Sequence, residues 1–419
     1  MPSSSNNAVL QAVNALRAVP HLAWRGKVKR VVVVLTSSRS GSSLLKGVLA
    51  SHEGIAAMDG EAEPYLALSA NGFGFNGRGD AFAMPANAGL LADCIFDGLG
   101  IACGTIPSLP ALQSRWSRRL LLQFPALFTQ PDEYRRLQGA LNETLDYALR
   151  YQHEMAEREL QRIVLSAVYW REPWRLDYYD GRLGPGIAGY FNEPAKIEEP
   201  PFVLPSLFRR PFNVDDAEYK VLLFKTPSDA YRIGLYEQLF PEAEVRYIHL
   251  TRGFAQTVNG LMDGWQSQHG FFAHDMARQG HVLDIAGYSD RHPFGKRWWK
   301  FDLPPDWQAV ATGSSLEKVC LHQWLSCHRA ILDSGVPALR VSFEDFLAAP
   351  GDVSTRIFDW LGLPALPQPP VLNVTMATEA PQPARWRKRR DLMLSLGQRA
   401  DVAEMMDALG YRMEPEGWL

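Results

Sequence analysis

The chain runs to 419 residues, 46% hydrophobic and 21% charged, the make-up of an ordinary soluble globular protein with room for one large α/β domain or two to three smaller ones. A formal net charge of −3 argues against a general nucleic-acid binder, which carries a basic excess. No stretch reaches the roughly 20 apolar residues that cross a bilayer, so neither nucleic acid nor membrane is an expected partner.

Cys94, Cys103, Cys320 and Cys327 include no CxxC pair, which sets aside a disulfide scaffold and a zinc ribbon and fits reduced thiols in the cytoplasm. The N-terminal MPSSSNNAVLQAVNALRAVPHL breaks its apolar residues with Gln, Asn and Arg, unlike a secretory signal. Its spacing predicts a short helix over residues 8–19. Val31 to Leu35 is a continuous β-branched run suited to a strand buried on both faces. TSSRSGSS follows, and then LLKGVLASH, whose Leu44, Leu45, Val48 and Leu49 recur at helical spacing. The first unit is therefore strand, Ser/Gly loop, helix.

From about 70 to 215 the pattern changes. A Gly/Asn-rich stretch, NGFGFNGRGD, precedes PDEYRRLQGALNETLDYALRYQHEMAERELQRIVLSAVY, whose apolar spacing predicts an amphipathic helix or helix pair. Pro-rich loops close the region, which reads as a predominantly helical insertion or cap within a single domain spanning 1–419. YKVLLFKTP then predicts a buried strand, SDAYRIGLYEQLFP a helix, and EVRYIHLTR another strand. SLEKVCLHQWLSCHRAILDS predicts a helix, LRVSFEDFL a strand entering an acidic turn, and DVSTRIFDWLG a helix with Gly362 beyond its end. Alternation of strand and helix implies parallel pairing. The fold class expected is α/β, a mostly parallel sheet flanked by helices.

The loop T36-S-S-R-S-G-S-S43 invites comparison with the phosphate-binding pattern GxxxxGK[ST]. Gly41 and Ser43 occupy the second Gly and the Ser/Thr positions, while Thr36 and Ser42 replace the first Gly and the lysine. Backbone N–H groups of such a loop and of the following helix still converge on an anion. No Walker-type Asp ends the YIHL strand, which runs instead into Thr251 and Arg252. The Mg²⁺-neutralised triphosphate of an NTPase is thus poorly served. One fixed cation, Arg39, stands in the turn.

RSGSSLL after a β-branched strand resembles the nucleotide-binding loop of sulfotransferases that use 3′-phosphoadenosine-5′-phosphosulfate (PAPS). ASHEGI, KTP, FPEAEVRYIHLTR, LRVSFEDFLAAP with FDWLGLP, and LGYRME are similar, in the family's order, to further motifs of that family. Together they cover roughly residues 30–65 and 219–412. The resemblance implies the P-loop-like sulfotransferase fold and PAPS as cosubstrate. Arg39 would stabilise the bridging oxygen, and Ser40, Gly41, Ser42 and Ser43 would hold the 5′-phosphate. Arg252 would bind the 3′-phosphate. Its usual serine partner is replaced by Gly260, leaving Thr257 or Asn259 to share that job, and the RWRKRR run offers Arg385 and Lys388 to close over it. The histidine of the cytosolic subfamilies is absent from Lys225-Thr226-Pro227-Ser228. Related subfamilies use a glutamate about twenty residues after the loop cation, which points to Glu61 or Glu63 as the base, with Lys225 orienting the sulfate or the acceptor.

This reading needs no metal, because fixed cations and N–H groups would do what Mg²⁺ does for an NTPase. His322 and His328 are six residues apart and do not share a helix face for one. Trp298, Trp299 and Trp307 are either core packing or a hydrophobic acceptor wall, while Asp302, Glu344 and Asp345 read as turn or cap residues. The acceptor expected is a hydroxyl or amine on a small molecule or carbohydrate. A P-loop kinase and a nucleotide-binding, catalytically inactive relative are the two other readings of the same residues.

Overall fold

The computed structural model describes residues 19–123, 130–151, 156–171, 173, 176, 204–268, 270–373, 377–415 and 418. The helix expected over 8–19 falls outside them, save for Val19. Eleven strands follow in chain order among the described residues: β1 (Arg30–Leu35), β2 (Ile55–Ala57), β3 (Gly100–Ala102), β4 (Arg209–Pro211), β5 (Val221–Phe224), β6 (Glu244–Thr251), β7 (Phe272–Asp275), β8 (Asp284–Ala286), β9 (Trp298–Lys300), β10 (Thr312–Ser315) and β11 (Ala338–Ser342). Seven form one sheet in the order β11-β6-β1-β5-β2-β3-β4. The pairs from β11 to β2 are parallel, with Val31 opposite both Leu222 and Val245. At one edge β3 runs antiparallel to both of its neighbours, β2 and β4.

The β-branched run explains why β1 lies at the centre. Successive side chains of a strand point to opposite faces. Accordingly Val31, Val33 and Leu35 enter one apolar cluster while Val32 and Val34 enter another on the far side. Every residue from Val31 to Leu35 is buried. Helices supply both layers, among them α1 (Ser42–Leu49) directly after the Ser/Gly loop, α2 (Ala88–Gly98), α3 (Phe254–Gln266) and α4 (Leu316–Asp333). The molecule is the expected α/β fold, a mostly parallel sheet flanked by helices.

Two local readings change. The segment after β5 is not one helix but a 3₁₀ turn, Pro227–Tyr231, and a short helix, Leu235–Leu239. Gly234 separates them with a φ of 94°, a conformation that ends helical continuity. Between 70 and 215 the described residues form helices, including the expected pair Pro131–Arg150 and Glu157–Val168. They also contribute β3 and β4 to the main sheet, strands too short for a two-residue period to show in sequence.

In a parallel sheet the strands end together. The turns after β1, β5 and β6 therefore meet at one edge, with β1 between the other two. Open α/β sheets bind ligands beyond the carboxyl ends of their strands.

Candidate active site

The turn after β1 is shaped by two residues in the left-handed region, Arg39 (φ 68°) and Gly41 (φ 83°). Gly41 has a steric reason as well: a Cβ there would fall 2.1 Å from the Phe343 ring. Within the turn Ser37 and Ser40 share a hydrogen bond of 2.6 Å, and Ser38 donates to Asp302 Oδ1 at 2.6 Å. The first N–H groups of α1 lack intrahelical acceptors and carry the positive end of the helix dipole. Ser42 and Ser43 of this terminus, with Ser38 and Arg39, line a cavity of about 340 Å³. Ser40, whose hydroxyl turns to Ser37, does not line it, and Gly41 serves by shape.

Lys225, at the end of β5, enters the same cavity. Its Nζ lies 2.6 Å from Glu61 Oε1 and 3.5 Å from Ser43 Oγ. Lys225 is 6% exposed and Glu61 26%, so the pair is partly shielded and faces the opening. The second expected carboxylate is differently placed. Glu63 is buried, accepts from Arg232 Nη1 at 2.7 Å and from Ser228 Oγ, and belongs to an ion cluster with Asp80 and Asp229. Such a buried group holds Arg232 in place. Glu61 is the glutamate nearer to bulk water.

Arg252 follows β6 and reaches back to the turn. Its Nη1 donates to the Arg39 carbonyl at 3.0 Å, and its guanidinium lies 4.9 Å from the centre of the Phe343 ring. Burial lowers its pKa first of all, Glu344 raises it, and Arg385 lowers it again by repulsion. Arg252 therefore lies within electrostatic reach of Arg385, and two cations within reach of each other suit an anion. Arg385 and Lys388 are also bound to carboxylates, each to Asp263 (2.7 and 2.8 Å) and to Glu379 (3.0 and 2.6 Å). Asn259 accepts from Arg389. Thr257 is buried and donates to the Gly253 carbonyl, 3.1 Å away in the preceding turn of α3. Asn259 is therefore in contact with the basic segment, and Thr257 is occupied by its own helix.

Gly260, which replaces the family-like serine, has a local cause. A Cβ on it would lie 3.3 Å from Arg39 Cβ, and one on Gly264 would lie 2.2 Å from the Phe301 ring. Four residues apart, the two glycines share a helix face and open a groove along α3. That groove receives the stem of Arg39 and the ring of Phe301.

Several groups on the cavity wall carried no sequence signal. Phe271 and Phe301, both at positive φ (64° and 63°), flank the paired strands β7 and β9 at one end. Their rings are 4.8 Å apart, and Arg39 lies over Phe271 at 4.9 Å. Positive φ is rare for so bulky a residue and recurs where ligands are gripped. Asp302, read as a turn residue, is a buried hydrogen-bond acceptor on the cavity wall. It takes hydrogen bonds from Ser38 and, at 2.9 Å, from the Tyr231 hydroxyl, and burial pushes its carboxyl up to about 6. Trp299 and Trp307 pack in the core with Trp265, and the apolar wall is made by Phe271, Phe272 and Phe301. His322 meets Asp306, while His328 is buried against His249. Four free thiols are present, and no helix among the described residues is long and apolar enough to cross a membrane.

No family model matches the chain and no curated protein matches it. Among solved structures it is similar to the sulfotransferase domain from the curacin biosynthetic pathway, at 12% identity over 92% of this chain and 99% of that one, with a TM-score of 0.37. It is also similar to the sulfotransferase domain of the Synechococcus PCC 7002 olefin synthase (16% identity, 94% and 98% covered, TM-score 0.35). A third is the sulfotransferase STF1 from Mycobacterium tuberculosis H37Rv (12%, 96% and 80%, TM-score 0.33).

Proposed function

We propose that the protein is a sulfotransferase, moving a sulfuryl group from PAPS to a hydroxyl or amine of a small molecule or carbohydrate held in the 340 Å³ cavity. The observation that carries this is one cavity wall. The turn after β1, with Arg39, Ser42 and Ser43, meets the Lys225–Glu61 pair there, while Arg252 reaches the Arg39 carbonyl within electrostatic reach of Arg385. Sulfuryl transfer asks for in-line positioning and for charge stabilisation on the leaving oxygen. The acceptor atom forms its bond to sulfur as the bond to the bridging oxygen breaks, and the nucleotide leaves with that electron pair. Arg39, the N–H groups at the start of α1 and Lys225 are the groups that meet the growing charge. Arg252 with Arg385 holds the 3′-phosphate, Asn259 and Lys388 lie beside it, and Thr257 supports the helix. Glu61 keeps Lys225 in register, and Glu63 anchors Arg232 beneath.

The test is calorimetric binding of 3′-phosphoadenosine-5′-phosphate (PAP), followed by radiolabelled transfer from PAPS to a panel of alcohols, phenols and amines. Arg39→Ala and Lys225→Met are expected to lower turnover by about 10²–10³-fold, the usual cost of losing one charge-stabilising donor. Arg252→Ala is expected to weaken PAP. Mg²⁺-dependent ATP consumption without PAP binding would sink the proposal.

A further inference from the structure

The transfer needs a group to receive the acceptor's proton, and of the five carboxylates that line the cavity all but Asp80 are committed elsewhere. Asp59 is paired with Arg209 at 2.8 Å, Glu61 with Lys225 at 2.6 Å and Glu63 with Arg232 at 2.7 Å. Asp302 is held between Ser38 and Tyr231. Each of these four already accepts from a cation or from two hydroxyl groups. One imidazole lines the cavity among the described residues, that of His274.

His274 lies on β7, two residues after Phe272; the register with β9 shifts between them, and both line the cavity together with Ala273. It is 8% exposed, and Phe73 packs edge-on against its ring at 5.6 Å. Asp80 stands behind it. That carboxylate is 2% exposed, with Oδ1 3.3 Å from His274 Nε2 and 3.3 Å from Arg232 Nη2. Its other oxygen accepts from the Leu303 N–H at 2.7 Å. Asp80 Oδ1 itself accepts no hydrogen bond of ordinary geometry. A buried acceptor left in that state calls for an explanation, and catalytic hydrogen bonds are often long before the reactants are bound.

We infer that His274, oriented by Asp80, is the base that takes the acceptor's proton, an inference that rests on the sulfotransferase reading. With Nε2–H directed at Asp80, Nδ1 carries the lone pair that receives the proton. The acceptor oxygen then bonds to sulfur, the sulfur–bridging-oxygen bond breaks, and PAP departs with the electrons. Asp80 is a positioning residue: it fixes the tautomer and favours the imidazolium that forms, the logic of any base backed by a carboxylate. Neither residue stands in a sequence motif, because Asp80 closes a Gly/Asn-rich loop and His274 lies almost two hundred residues later. Only the packing of that loop against β7 and the Asp302 segment brings them together.

The experiment measures PAP affinity by calorimetry and PAP release from PAPS, with phenol as probe acceptor and with water alone, for wild type, His274→Gln, His274→Ala and Asp80→Asn. The expected result is unchanged PAP affinity in all four. His274→Gln then loses about 10²-fold or more in release rate with phenol, the size of a general-base contribution. Imidazole in the buffer restores part of the His274→Ala rate, and Asp80→Asn loses less than His274→Gln. A His274→Gln protein that binds PAP and works at the wild-type rate overturns the inference alone. So does a His274→Ala rate that imidazole cannot raise while PAP binding stays intact. A wild-type chain that fails to bind PAP, or binds it and releases none from PAPS, overturns the sulfotransferase reading and this inference together.

Discussion

Asp302 meets two hydroxyl groups and no cation, so the loss of water around its charge is only partly offset. Burial pushes its carboxyl from about 3.8 to about 6 and that of Asp229 to about 7, the latter opposed by Arg232. A folded-state value above the unfolded one gives a contribution that is complete below about 3.8. It fades as pH rises through 6 and 7. Ionisation of Asp302 thus weighs against the fold at pH 8, and Asp302→Asn removes that charge while keeping an oxygen to accept from Ser38. Urea unfolding is expected to show the variant gaining about 2 kcal/mol over wild type at pH 8 relative to pH 4. The buried His249–His328 pair, 3.0 Å apart, has the opposite sign. Burial pulls His249 down to about 4 and His328 well below its usual value. Their stability is whole above about 6.5 and is lost as pH falls. Histidine-ring NMR is expected to show His249 unmoved between pH 8 and 6, and a titration in that range would refute its burial as a neutral ring.

At the scale of the element, α3 inverts an ordinary rule. Gly→Ala inside a helix usually gains about 1 kcal/mol. Here the Gly264 position is closed by the Phe301 ring at 2.2 Å and Gly260 is tight against Arg39 at 3.3 Å. Gly264→Ala is expected to destabilise by about 1–3 kcal/mol through overpacking and, on the proposed function, to lower turnover with PAPS, since Phe301 and Arg39 share the displaced groove. Circular dichroism at the melting point measures the first effect and initial rates the second. The reverse, a rise in melting temperature, would mean that the ring moves freely.

The same helix shows what could and could not be read in sequence. The core strands were legible because burial on both faces leaves an unbroken β-branched run such as Val31–Val34, and the turn after β1 because a Ser/Gly loop between a strand and a helix is a local pattern. Gly260 was visible as a departure, but its cause is a neighbour more than two hundred residues away. The paired positive-φ phenylalanines leave no trace in composition, and the break at Gly234 hides within a helical spacing. Glu61 and Glu63 differ by two positions yet face a lysine at the cavity mouth and a buried arginine. Which one is shielded depends on Arg232 and Ser228, and no spacing encodes that.

For the whole molecule, the C-terminal segment is fastened across α3 by charge. Arg385, Lys388 and Arg389 all reach Asp263, which is buried, and the first two also reach Glu379, which is half exposed. The Lys388 hydrogen bond holds the Glu379 carboxyl below its usual range. On the proposed function, a 3′-phosphate entering beside Arg252 would compete with these carboxylates for Arg385 and Lys388, and the two carboxylates compete unequally. Asp263 is shared by three cations and little screened, so removing it strands charge; Asp263→Asn is expected to loosen the segment and weaken PAP. Glu379 makes solvent-screened pairs, each worth about 1 kcal/mol or less. Glu379→Gln should therefore tighten PAP by no more than about thirtyfold, and by less as salt rises toward 1 M and the Debye length falls to about 3 Å. AMP lacks the 3′-phosphate and separates this competition from a general change in charge. Its affinity is expected to be the same in Glu379→Gln and wild type at every salt concentration. Calorimetry with both nucleotides decides it, because an equal gain for AMP would place Glu379 against the 5′ end of the nucleotide and not against its 3′-phosphate.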